Sequence, residues 1–120
     1  MKDPENASSP VVRTQLLTAL LDSPKTVERI EIRRVDMSPN LASGPHLHPC
    51  PVLGMILEGS VLFQVEGERA RVLHAGDAFY EPANVRIPHF DALEQGASFA
   101  AHYLLGPGET ETIRMLEERP

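Results

Sequence analysis

Gly44-Pro-His-Leu-His-Pro-Cys-Pro-Val-Leu-Gly-Met-Ile-Leu-Glu-Gly59 sets two histidines at i and i+2, a cysteine two residues on, and then an apolar run. On an extended chain such side chains leave the same face, so His46 and His48 converge on one side. Cys50 continues that parity, while Pro49 and Pro51 keep the stretch out of a regular central strand. Spacing alone leaves two readings open: a pair of imidazoles sharing a metal, or two partly exposed loop histidines in a polar network. The run that follows decides the architecture. Residues 52–57 read as a strand ended by a Glu58-Gly59 turn, residues 61–65 return as a second strand, and Glu66-Gly67-Glu68 turns again.

Outward from there the same rhythm continues. Residues 26–37 are β-rich, with Ile30 and Ile32 on one parity and Val35 and Met37 on the other, which predicts a bulge or a switch of buried face. Residues 70–73, 78–81, 85–90 and 98–105 read as further short strands, with Gly76-Asp77 at a hairpin corner. Residues 11–21 are apolar but too short for periodicity to choose between strand and helix, and the tail 110–119 is equally open. Residues 1–10 are polar and read as a disordered tail ahead of one domain over 11–120. Short strands at steps of about ten residues describe an all-β sandwich or barrel.

Composition narrows the function. The chain has 120 residues and a formal net charge of −6, which argues against a nucleic acid or an anionic membrane as partner. The single cysteine excludes an intrachain disulfide and suits a reducing, cytoplasmic setting. No secretory signal or membrane-spanning run is read from the residues.

Residues 44–59 together with 76–91, which contain Gly76-Asp-Ala-Phe-Tyr-Glu-Pro82, resemble the two motifs of the cupin family, in small single-domain bacterial form. There, a first motif G…H-x-H…E…G is joined by a variable spacer to a second, G-D…P-x-G…H. The resemblance implies a double-stranded β-helix, or jelly-roll barrel. It also implies a metal held by two histidines and a glutamate from the first motif and a histidine from the second. His46 and His48 carry over. The glutamate position falls on Val52, and the second-motif histidine position on Ile87, with His89 two residues later.

A bulge near Asn84-Val-Arg86 would bring His89 into register as a third ligand, the alternative being a histidine in a polar barrel mouth. Cys50 is either a stand-in for the missing carboxylate or, more commonly for its type, a buried inert thiol. Glu81 offers a replacement carboxylate or general base, but the better-supported reading, for it as for Asp91, is a solvated strand-end charge. The expected pocket is lined by Val52, Met55, Leu57, Phe63, Ile87 and His102, with only one of Phe79 and Tyr80 facing in. The function expected is a divalent metal (Zn, Fe, Ni or Mn) at His46, His48 and His89 beside a small organic ligand, with oxygenase- or isomerase-type activity. The alternative is a metal-free binding or sensing barrel. A homodimer follows from the resemblance, with residues 11–21 covering a sheet edge.

Overall fold

The structure, a computed structural model, describes residues 10–119. The expected disordered tail therefore lies outside the described residues, Pro10 excepted. Seven strands follow in order: β1 Arg29–Met37, β2 His46–Leu47, β3 Val52–Gln64, β4 Arg71–His74, β5 Ala78–Glu81, β6 His89–Leu105 and β7 Arg114–Met115. No helix occurs among the described residues. One antiparallel sheet runs β1-β6-β3-β4, with β5 also paired to β3, and β2 pairs β7 separately. The all-β barrel expectation holds, and two strands are much longer than the sequence suggests.

Those long strands bend rather than turn. Glu58-Gly59 is no hairpin corner: β3 continues through it, with register shifts against β6 between Ile56 and Glu58 and between Gly59 and Val61. Gly59 (φ 75°) pairs beside Gly96 (φ 72°), and a Cβ on Gly59 would collide with the Gly96 carbonyl. An extra residue in a ladder reverses which parity faces inward. Val52 and Ile56 are buried before the bend, Val61 and Phe63 after it. On β6 the same exchange runs from Phe90 and Ala92 to Phe99, Ala101 and Tyr103.

The interior below this bend is filled by Phe63, Phe79, Phe90 and Phe99, whose neighbouring ring centroids lie 4.6–5.9 Å apart. Such tilted and edge contacts add stability beyond the area they bury. The β4–β5 connection turns tightly at Gly76-Asp77 but is no hairpin corner, since β4 and β5 each pair with β3 rather than with each other. The Asp77 amide donates to the His74 carbonyl, and the Asp77 carboxylate accepts from the His74 amide.

β1 carries no bulge, since its pairing with β6 is unbroken from Arg29↔Leu105 to Met37↔Ala97. Val35 and Met37 pack toward the core, and Ile30 and Ile32 stay exposed on the outer face. Residues 10–27 form neither strand nor helix. This arm lays Leu16 and Leu17 across an apolar groove of about 520 Å³ on the outer sheet face, shared with Ile30, Leu53, Met55 and Leu104.

Candidate metal centre

Local geometry starts from the rung between His46 and Ile87, whose backbones exchange hydrogen bonds (His46 amide to Ile87 carbonyl 3.2 Å, Ile87 amide to His46 carbonyl 2.7 Å). That rung turns the His46 side chain inward from β2. His48, two residues on, follows on the same side, and its carbonyl accepts the Asn84 amide at 2.7 Å. Asn84 takes the left-handed conformation (φ 62°) where the family motif has glycine, a substitution asparagine tolerates. The third group comes from β5: Glu81 is the cross-strand partner of Val52. The carboxylate lost at Val52 is thus restored one strand over, on the same face.

The three side chains are almost wholly buried, at 4% exposure for His46, 4% for His48 and 3% for Glu81. One ligand atom from each lies within 4.8 Å of the others, and among the described residues this is the one such group of histidine, cysteine or carboxylate side chains. Both Nδ1 atoms face backbone carbonyls, His46 to Gly44 at 2.9 Å and His48 to Thr112 at 2.6 Å. A carbonyl only accepts, so each Nδ1 carries the proton and each Nε2 turns to Glu81. Glu81 Oε2 lies 3.2 Å from His48 Nε2 and 3.4 Å from His46 Nε2. It makes no well-aimed hydrogen bond, and is a buried acceptor without a partner.

Burial alone would raise the Glu81 pKa, but the two imidazoles outweigh it and hold the carboxyl below its ordinary 4.5. Burial likewise works against a charged His46, yet the Glu81 carboxylate and the Gly44 carbonyl push its pKa above 6.5. Two nitrogens and an oxygen thus converge around a point that calls for positive charge. Ligand–metal bonds near 2.1 Å put neighbouring donors about 3.0–3.4 Å apart in octahedral or tetrahedral sites, and the Glu81–imidazole separations fall in that range. The donor set fits a divalent first-row metal.

Sequence reasoning and geometry part company over the third ligand. Glu81, read as a solvated strand-end charge, is the buried carboxylate of the cluster; Phe79, two residues earlier and also inward, carries the parity signal that would have found it. His89 lies elsewhere: it is exposed beside inward-facing Phe90, with Nδ1 2.7 Å from Asp91. No bulge at 84–86 brings it back, because the His46 rung fixes Ile87 at that level. Cys50 is buried in the turn between β2 and β3, its thiol pushed up by desolvation, and stands outside the cluster.

Of the expected pocket residues, Val52 borders the cluster, while Phe63 and Ile87 are packed in the core. Met55 and His102 line the outer groove instead, and Leu57 is exposed. The bulge at residues 57–60 is the reason: Met55 and Leu57 precede it and carry the outward parity, whereas Phe63 follows it. His102 donates from Nδ1 to the Leu53 carbonyl at 3.0 Å on that outer face. Phe79 faces in and Tyr80 out, as alternation requires.

Above the three ligands lies a cavity of about 160 Å³, walled by Val35, Met37, Phe90, Phe99, Tyr103 and Ile113. Burial raises the Tyr103 pKa, so its phenol stays protonated at neutral pH.

Comparison with known proteins agrees with this architecture. Residues 33–90 match the sequence model of the cupin domain. An oxalate oxidase solved with the substrate analogue glycolate superposes with TM-score 0.60 and 25% identity, over 72% of this chain and 46% of that one. A DMSP lyase from Ruegeria pomeroyi DSS-3 (TM-score 0.64, 20% identity, 72% of this chain and 42% of that one) shares the fold. So does an RmlC-like cupin from Shewanella frigidimarina (TM-score 0.57, 20% identity, 66% and 68%). The chain therefore spans less than half the length of the first two. No curated protein sequence matches it. Matched in sequence over residues 33–90, the segment that supplies His46, His48 and Glu81, and in shape across most of its length, the chain carries a cupin domain.

Proposed function

We propose that the chain binds one divalent metal ion through His46, His48 and Glu81 and works on a small organic molecule held in the adjoining cavity, in oxygenase- or isomerase-type chemistry. One observation carries this reading: a buried, unpartnered carboxylate oxygen facing two imidazoles whose protons are committed to backbone carbonyls on their far sides. Three protein ligands leave coordination positions open, and an ion bound there would supply a Lewis-acid centre.

The chain's own residues account for the rest. Phe90, Phe99 and Ile113 line the ligand space with apolar surface, and Tyr103 presents a protonated phenol at its wall. A cavity of about 160 Å³ is close to the volume that admits a benzene-sized molecule, which sets the size class of the ligand. The glycolate complex of the oxalate oxidase neighbour supports a small, oxygen-bearing ligand. The unpaired, buried Cys50 supports a cytoplasmic setting, and the apolar arm and outer face support a homodimer.

Metal analysis by mass spectrometry, on protein never exposed to a nickel column, tests the proposal. We expect at least half an equivalent of one divalent metal per chain, removed by a chelator together with any activity. Less than about a tenth of an equivalent, after reconstitution with Fe, Mn, Ni and Zn in turn, would overturn it.

A further inference from the structure

Thr112 is buried between exposed neighbours in a C-terminal segment that lies outside the matched cupin region. The segment crosses the mouth of the barrel. β7 pairs β2 with His46 opposite Met115, the Leu116 amide donates to the Pro45 carbonyl at 2.9 Å, and Ile113 walls the cavity. Its deepest contact is the Thr112 carbonyl, which accepts from His48 Nδ1 at 2.6 Å across 64 residues of sequence. The Thr112 hydroxyl is held from the other side by Arg33 of β1, Nη1 to Oγ1 at 3.2 Å. Arg33 is itself fixed by Glu31 at 2.7 Å and by stacking over Tyr103, 4.9 Å from the ring centroid. Tyr103 in turn meets His48 edge-on, with centroids 5.9 Å apart.

We propose that residues 110–116 form a strap that fixes His48 for metal binding, and that Arg33, by holding Thr112, is a positioning residue for the metal centre. The inference rests on the metal reading above and adds the element that makes it work. An imidazole binds metal through Nε2 only when its proton is on Nδ1, and the partner of that proton selects this tautomer. While the strap is docked, the Thr112 carbonyl is that partner. Undocked, the proton is free to move to Nε2, and that nitrogen's lone pair is lost to the metal. Because coupling is reciprocal, metal in turn holds the strap down over the cavity.

Zinc titration by calorimetry on the full chain tests this, with Thr112→Val and Arg33→Met against Thr112→Ser. Valine keeps the shape and the backbone carbonyl but removes the hydroxyl that Arg33 grips; serine retains it. We expect the first two to weaken zinc binding about tenfold or more and serine to stay within about threefold of wild type. Nitrogen-15 NMR should show the His48 Nδ1–H tautomer eroded in the first two variants only. In the wild type, zinc should slow amide exchange at residues 112–116.

Thr112→Val and Arg33→Met both binding zinc like wild type, with the His48 tautomer unchanged, would overturn the strap and leave the metal site standing. Amide exchange in the strap that zinc leaves untouched would overturn it equally. A wild-type chain that takes up no metal overturns the metal reading, and this inference with it.

Discussion

Glu81 is the residue on which the chemistry turns. Exchange for glutamine keeps its size and removes the charge that two imidazoles face, so Glu81→Gln should lower zinc affinity by at least about tenfold in calorimetry while leaving the barrel folded. The same pair of charges sets a pH window for the metal-free protein. His46 is raised above 6.5, so its contribution is complete below that value and is lost as pH rises through the folded pKa. Glu81 is lowered below 4.5, so its contribution is complete above that value and is lost as pH falls through the folded pKa. Thermal unfolding in chelator should therefore give a plateau between about 4.5 and 6.5 with a decline on either side, and Glu81→Gln should flatten it. An unfolding temperature that climbs steadily from pH 6.5 to 8.5 in the wild type would contradict the assignment. Metal reverses the alkaline arm, since protons compete with it for the imidazoles.

At the scale of the element, the bend of β3 against β6 decides what the barrel contains. Gly59 is held at positive φ with the Gly96 carbonyl where a methyl group would go. Gly59→Ala should cost more than about 2 kcal/mol in denaturant unfolding, from strain and overpacking together. A change below about 0.5 kcal/mol would mean the bend relaxes easily. Phe79, fully buried among three other phenylalanines, should cost about 3–5 kcal/mol when cut to alanine. Neither substitution touches the metal ligands, so both are expected to act on stability before they act on metal content.

For the whole molecule, the radius of gyration is 16.0 Å, against about 13.6 Å for a compact chain of this length. Val11, Val12, Leu16, Leu20, Ile30 and Ile32 are all at least half exposed. With Leu17 and Leu21 they leave on the order of 800 Å² of apolar surface, about what each partner gives to a stable dimer. Light scattering should find a species of about 26 kDa, twice the 13.2 kDa chain. Leu16→Asp with Leu20→Asp should return it to the monomer with its metal affinity intact. A wild type that stays monomeric at millimolar concentration would leave the exposed arm without its expected partner.

What the sequence by itself determined was local: alternating apolar residues and turn signals made the chain all-β, and the i, i+2 spacing put His46 and His48 on one face. The two motifs told which barrel. Tertiary structure decided the rest, because it depends on pairings between distant segments. Only the β3–β5 register sets Glu81 opposite Val52, and only the bend at Gly59 and Gly96 sorts Val52 and Phe63 inward from Met55 and Leu57 outward. Only the docked C-terminal segment supplies, at Thr112, the carbonyl that holds the His48 proton. A two-residue period says which side chains share a face, but which face is inside is settled by the neighbouring strand.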